Sequence, residues 1–280
     1  MKALHFFDHG SISNLHFGDL PTPKPGAGEV LIKVKACAIN HLDLWVLRGW
    51  PGLKLARPHI GGADISGEIA ELGEGVTSHK VGDAVIVAPG FTLSEDRYTE
   101  REEDSLSPGY KIIGEQLKGG FAEYVVVPSK AVFEKPKAVS FEDACAPLLV
   151  GLTAWRMLVR RAQLKAGERV LVVGAGGGVN SISIQIAAAL GAQVIALSST
   201  DEKCAQAIAM GAREVINYKK VPDWSREVRR LTEGQGVDVV IDNVGTQTFP
   251  QSINSCARGG RIVTVGNTSG ALVELDNRLI

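Results

Sequence analysis

Four glycines, Gly174, Gly176, Gly177 and Gly178, follow directly on an apolar run, residues 170–173, and lead into Val179, Ile182, Ile186 and Leu190 at helical spacing. A glycine-rich turn between a strand and a helix lets the backbone approach a bulky anion. The free N–H groups and positive dipole end of the helix then face that anion. This is the chemistry of a pyrophosphate, and so of a dinucleotide. The pattern is incomplete. Gly174-x-Gly176-x-x leads to Val179 instead of a third glycine, and with the frame shifted by one Asn180 again stands where a glycine belongs. By itself such a turn also suits a tight connection that binds nothing, so the elements around it must decide.

Those elements alternate. A continuous apolar run, 170–173, suits a strand buried on both faces of a parallel sheet. Residues 191–197 read as a second strand. Ser199-x-x-Glu202 reads as a capping box that opens a helix to about Met210, and Gly211 ends it. Residues 214–216 read as a third strand, 224–232 as a charged amphipathic stretch, and 237–242 as a fourth strand. Residues 249–257 read as a helix stopped by Gly259 and Gly260, and 261–265 as a fifth strand ending at Gly266. Five strands alternating with helices over short turns specify an α/β, doubly wound parallel sheet.

The first half has another texture. Residues 29–36 set Val30, Ile32 and Val34 against Leu31, Lys33 and Lys35, the alternation of a half-buried strand. Short strands follow at 64–72, 84–88 and 122–128, with glycine-rich turns between them. This predicts an antiparallel, barrel-like β domain. From 140 to 164 the pattern turns helical. The boundary is placed there, near Gly151, giving domains 1–150 and 151–280.

The 280 residues carry a formal net charge of −1, which gives no reason to expect nucleic acid or an acidic membrane surface as partner. No apolar run is long enough to cross a bilayer, and the opening residues lack a secretory pattern, so a cytoplasmic location is expected. Cys37, Cys145, Cys204 and Cys256 include no C-x-x-C pair, which argues against a zinc knuckle or redox dithiol. Cys204 and Cys256 fall on predicted helices and read as small core residues.

Several motifs, in order, resemble the medium-chain dehydrogenase/reductase superfamily: Ala36-x-x-x-Asn40-x-x-Asp43, Pro58-x-Ile60-x-Gly62-x-Asp64-x-x-Gly67, Gly119-Gly-Phe-Ala-Glu-Tyr124, Ala146-Pro-Leu-x-x-x-x-Thr153-Ala, and the run from Val170 to Gly178. The resemblance covers the whole chain. It implies a GroES-like β domain carrying the substrate site and a Rossmann domain carrying NAD(P). It also implies a return to the catalytic domain after the Rossmann sheet. The sequence stops at Asp276-Asn-Arg-Leu-Ile280 before that return, so a truncated or fragmentary chain is expected.

The zinc branch of this superfamily places a Cys three residues before the Asp of the first motif, a His in a Gly-His-Glu motif, and a Cys shortly after Ala-Pro. The matching places here hold Asn40, Ala63 and Val150. Zinc wants sulfur, imidazole or carboxylate. Cys37, His41 and His59 lie nearby but are offset, so no metal is expected. Residues 90–104 lie where the structural-zinc lobe belongs. They contain no cysteine and read as a solvated loop laid out like a lobe that has lost its ligands.

The resemblance is therefore to the zinc-free branch, the quinone oxidoreductases and enone reductases. It implies hydride transfer from NAD(P)H to a quinone, an α,β-unsaturated carbonyl or a related carbonyl substrate. Without a metal, hydrogen-bond donors must meet the charge developing on the substrate oxygen. Asn40 and Thr153 are the candidate donors, each with a plainer reading: a turn former and a helix-carbonyl partner respectively. Asp64 reads as orienting its neighbours. Trp45 and Trp50 suit either a pocket wall or core packing. A zinc-type alcohol dehydrogenase and a non-catalytic NAD(P)-binding protein are the alternative functions.

Cofactor contacts are expected from Gly174, Gly176, Gly177, Gly178 and Val179, and from Asn243, Val244, Val265 and Gly266 at the ends of the fourth and fifth strands. The acidic residue that binds the ribose of NAD at the end of the second strand is missing, because Ser198 and Ser199 stand there. Serine hydroxyls, with Lys203 and Tyr218 as in the quinone reductases, favour NADPH over NADH. A homodimer or higher homo-oligomer is expected of the full-length protein.

Overall fold

A computed structural model describes residues 1–275 and Arg278. The end of the chain on which the truncation expectation rests, residues 276, 277, 279 and 280, lies outside the described residues. The chain divides into two compact units, Met1–Leu149 and Val150–Ile280.

The first unit is built from ten strands: β1 (Lys2–Phe6), β2 (His16–Asp19), β3 (Glu29–Ala38), β4 (His59–Ile60), β5 (Asp64–Leu72), β6 (Ala84–Val87), β7 (Gly90–Phe91), β8 (Lys111–Ile112), β9 (Tyr124–Pro128) and β10 (Val132–Glu134). Helices α1 (His41–Arg48) and α2 (Phe141–Cys145) join them. The main sheet runs β10-β6-β5-β3-β9, with β2-β1-β4 and β7-β8 as smaller sheets. All pairings are antiparallel. Alternation places Val30 and Ile32 of β3, Ile65 and Ile69 of β5, Val85 and Val87 of β6, and Val125 and Val127 of β9 in one core, while Lys33 and Lys35 stay exposed. Leu31 is buried as well, so β3 begins covered on both faces.

The stretch 90–104 is not simply a solvated loop. The short β7–β8 pair closes it, and two 3-10 turns shape it. Its centre is Asp96, whose carboxylate accepts from the Tyr98 and Thr99 N–H groups and from the Ser107 hydroxyl at 2.7 Å. A half-exposed carboxylate thus gathers the loop backbone around it.

Helix α3 (Leu148–Trp155) continues into a π-helical turn, Arg156–Arg161. The second unit then holds β11 (Arg169–Val173), α4 (Gly178–Ala189), β12 (Gln193–Ser198), α5 (Asp201–Ala209), β13 (Glu214–Asn217), α6 (Trp224–Leu231), β14 (Val237–Asp242), α7 (Phe249–Ser255) and β15 (Cys256–Val263). The sheet order is β13-β12-β11-β14-β15, parallel throughout. Val170 and Val172 face one core, with Ile184 and Ala187 of α4. Leu171 and Val173 face the other, with Trp224 and Val228 of α6. Burial on both faces is why β11 reads as an unbroken apolar run.

Three local expectations need correction. The helix after β12 is capped by Thr200, whose hydroxyl accepts from the Lys203 N–H, and not by Ser199. Helix α7 ends at Ser255, and Gly259 and Gly260 lie inside β15. Strand β15 therefore runs from Cys256, which is not helical, to Val263 and stops short of Val265. The register shift between Val237 and Val239 lets the glycines pass: a Cβ on Gly260 would meet the Ala257 and Asp238 carbonyl oxygens. Inside a strand, glycine marked a close backbone approach and not a stop.

Candidate functional site

The glycine turn lies at the carboxyl end of β11, the central strand, where ligands of doubly wound sheets bind. Gly174 has φ +91°, a left-handed value that side chains resist. The Ala175 N–H bonds the Leu197 carbonyl at 2.7 Å and ties the turn to β12. Gly176, Gly177 and Gly178 are exposed. Gly177 is the N-cap of α4 and has no side chain with which to cap it, whereas Thr200 caps α5 and Asp223 caps α6. The first-turn N–H groups of α4 are thus left to a ligand. A Cβ on Gly176 would lie 3.6 Å from the Lys203 ammonium nitrogen, so a cation leans over the turn. A Cβ on Gly178 would lie 3.1 Å from Val150, which closes in on the start of α4. Bare backbone, an uncapped helix start and an ammonium fit a dinucleotide pyrophosphate.

Asn180 is the residue that the sequence reading passed over. It is buried, and its amide nitrogen donates to the carbonyls of Val173 at 2.7 Å and Gly174 at 3.0 Å. Its Oδ1 accepts from Asn243 at 2.8 Å, and the Asn243 Oδ1 accepts from the Val265 N–H at 2.9 Å. A chain of side-chain amides thus stitches the glycine turn to the segments after β14 and β15. Val179 packs partly buried on the core beside it. Asp242, fully buried, supports the same floor: it accepts from the Val244 and Gly245 N–H groups and from the Thr248 and Ser252 hydroxyls. The signal for Asn180 was available, since it occupies a glycine position. Asp242 read only as the last residue of a strand.

Of four further sequence candidates, Ser198 and Ser199 lie at the end of β12, Tyr218 just after β13, and Lys203 in the first turn of α5. Ser198 is buried and pairs in register with Asn217, and its carbonyl accepts from the Tyr218 N–H at 3.0 Å. Ser199 is half-buried, and Lys203 and Tyr218 are exposed. Val265 is exposed beyond β15, and the Gly266 carbonyl accepts from the Thr264 hydroxyl.

In the first unit, Asn40 is the N-cap of α1. Its own N–H donates to Asp43 Oδ2 at 2.7 Å, and Asp43 Oδ1 accepts from the Gly62 N–H at 3.0 Å. Asp43 thereby clamps the start of α1 to the bend before β5. The Asn40 Nδ2 donates to Asp64 Oδ2 at 2.8 Å, and Asp64 Oδ1 accepts from the Leu149 N–H at 2.6 Å. Ionised, Asp64 only accepts, so the amide atom facing it must be nitrogen. Asp64 is 1% exposed, and burial raises its pKa to about 6 against the opposing hydrogen bonds from Asn40 and Leu149. Burial likewise raises Asp43 and pushes the Cys37 thiol far up.

The residues near the zinc-ligand positions have other tasks. Ala63 is buried, and the Cys37 sulfur packs where a Cβ on Gly62 would stand. The His59 ring, whose pKa burial lowers against the opposing hydrogen bond, meets the Gly114 carbonyl at 3.1 Å. His41 stacks edge-on against Trp45 at 4.8 Å, and Trp50 is 41% exposed. Among the described residues no group of three His, Cys, Asp or Glu side chains could hold a metal ion. Thr153 sits half-buried on α3.

Residues 26–137 match the family described as alcohol dehydrogenase GroES-like domain, and residues 178–280 that described as zinc-binding dehydrogenase. A zinc-type alcohol dehydrogenase-like protein of Schizosaccharomyces pombe is 37% identical over 94% of this chain and 76% of its own length. An acryloyl-coenzyme A reductase of Metallosphaera sedula is 38% identical over 89% of this chain and 72% of its own. A solved structure titled NAD-dependent alcohol dehydrogenase is 43% identical, with a TM-score of 0.95 over 100% of this chain and 81% of that one.

Proposed function

The chain belongs to the medium-chain dehydrogenase/reductase superfamily, and from that premise we propose that it is an NADPH-dependent reductase of quinones or α,β-unsaturated carbonyl compounds. The superfamily membership makes it an oxidoreductase. The substrate class rests on one observation: where the zinc branch would place ligands, this chain has Asn40, Ala63 and Val150, and Asn40 is an amide held by Asp64. The name of the acryloyl-coenzyme A relative is consistent with an electron-poor alkene as acceptor.

A bound nicotinamide cofactor supplies the hydride. The work of the chain is to bind, orient and stabilise. The uncapped start of α4 takes the pyrophosphate. Ser198, Ser199, Lys203 and Tyr218 take the adenosine ribose with its 2′-phosphate, because β12 ends in Ser198 and not in a carboxylate. Asn40 spends one amide hydrogen on Asp64 and offers the second to the substrate oxygen as negative charge develops there. Thr153 is the second candidate donor.

The test is NADPH oxidation by the purified protein against a panel of quinones, enones and alcohols, with the dissociation constants of NADPH and NADH for the parent and Lys203→Ala. Turnover of quinones or enones, lowered about a hundredfold in Asn40→Ala, supports the reading. A hydrogen bond to a charged group contributes about 1.5–3 kcal/mol, so Lys203→Ala should cost roughly ten- to a hundredfold in NADPH affinity. Turnover of alcohols alone, or equal affinity for the two cofactors in the parent, defeats it.

A further inference from the structure

Asp201 poses a difficulty for an NADPH site. It is the first residue of α5, one position beyond the Thr200 cap and three beyond Ser198. A carboxylate in this region is what selects a free ribose over a phosphorylated one. The structure shows what becomes of this one. Its Oδ2 is ion-paired with the Lys220 ammonium at 2.5 Å, and its Oδ1 accepts from the Asn217 amide at 2.8 Å. Both acceptor atoms are engaged from the side of β13.

The two partners are themselves held. Asn217 ends β13 as the register partner of Ser198. Its Oδ1 accepts from the Lys219 N–H at 3.1 Å, which fixes the amide with its nitrogen toward Asp201. The Asn217 carbonyl accepts from the Lys220 and Val221 N–H groups at 3.0 and 2.9 Å, so a tight turn brings Lys220 back to Asp201. The pair is well exposed, with 65% and 63% of the two side chains open to solvent. Exposed ion pairs contribute little to folding. Beside a phosphate dianion the same pair has an electrostatic task.

We propose that Lys220 and Asn217 are specificity-determining residues: they turn and neutralise the Asp201 carboxylate, and so admit a 2′-phosphate where a free carboxylate would reject it. This rests on the NADPH reading above. Lys220 acts through Asp201 and does not itself contact the phosphate, which distinguishes its role from that of Lys203.

The experiment is equilibrium binding of NADPH and NADH, at low ionic strength, to the parent, Lys220→Ala, Asp201→Asn and the double variant. Thermal melting of each variant confirms folding. Freeing the carboxylate places like charges together, so Lys220→Ala should weaken NADPH about tenfold while NADH changes by less than about twofold. Asp201→Asn should leave NADPH within about twofold of the parent, and adding it to Lys220→Ala should restore most of the loss. An unchanged NADPH affinity in Lys220→Ala overturns the proposal. So does an equal loss when Lys220→Ala is made on top of Asp201→Asn, which would make Lys220 a direct phosphate ligand. A parent that binds both cofactors equally defeats the NADPH reading. The clamp is still judged in that case: a shift in the NADPH-to-NADH ratio by Lys220→Ala that vanishes in the double variant supports it, and no shift overturns it.

Discussion

Asp64 is a carboxyl group that burial has made hard to ionise, and its pKa is raised to about 6. An acid raised in the folded state holds its proton there after the unfolded chain has lost it. Its contribution to stability therefore falls as pH rises from about 4 to about 6 and is level above that. Each pKa unit corresponds to about 1.4 kcal/mol, so the loss across the window is about 3 kcal/mol. Asp64→Asn should remove this dependence, and the difference in unfolding free energy between parent and variant, followed by urea denaturation from pH 4 to 7, should change by that amount. A constant difference would show that Asp64 titrates normally. Asn40 inherits the same titration, because a protonated Asp64 no longer dictates which end of the amide faces it. Asn180 carries a second residue-scale prediction. Its amide nitrogen satisfies two carbonyls of the glycine turn, and its oxygen meets Asn243. Asn180→Ala should cost about 1–3 kcal/mol of stability and weaken NADPH and NADH alike. Intact affinity for both cofactors in a destabilised variant would restrict Asn180 to a structural role.

Elements succeed or fail as predictions according to where their information lies. Strands β11 and β14 came through because their apolar runs are buried on both faces. The start of α5 did not, since Ser199 and Thr200 are both good caps and only backbone geometry chooses between them. Thr200 has φ −140° and ψ 158°, the extended conformation of a cap, and its hydroxyl faces the Lys203 N–H. Thr200→Ala should therefore cost about 1 kcal/mol, while Ser199→Ala should cost only a few tenths. Chemical denaturation of the two variants separates them, and the reverse order would restore the Ser199 cap. Strand β15 was expected, but its start at Cys256 was missed for another reason. Gly259 and Gly260 are helix breakers in a local reading, but in the sheet they are where β15 passes close to β14.

Across the whole molecule, the two units carry different chemistry: a parallel sheet with a bare glycine turn, and a β unit in which Asn40, Asp43 and Asp64 form one hydrogen-bonded group. Asn40, Ala63 and Val150 supply none of the donors zinc requires. The isolated protein should therefore carry no stoichiometric zinc. Elemental analysis finding about one zinc per chain, lost together with activity on chelation, would contradict this.

Local pattern in the chain was enough for the class of each unit, the five parallel strands and the glycine turn. These rest on hydrophobic period and on glycine, and both act over a few neighbouring residues. The resemblance to the superfamily, not local pattern, marked Asn40 and Asp64 as candidates, and it did not join them, since 24 positions separate the two. Folding in three dimensions settled that Asp64 holds the Asn40 amide, that Asn180 holds the glycine turn and reaches Asn243, and that Lys220 reaches back 19 positions to the Asp201 carboxylate. In each case a polar side chain finds its partner only after strands distant in sequence have come into register, and no local pattern records that meeting.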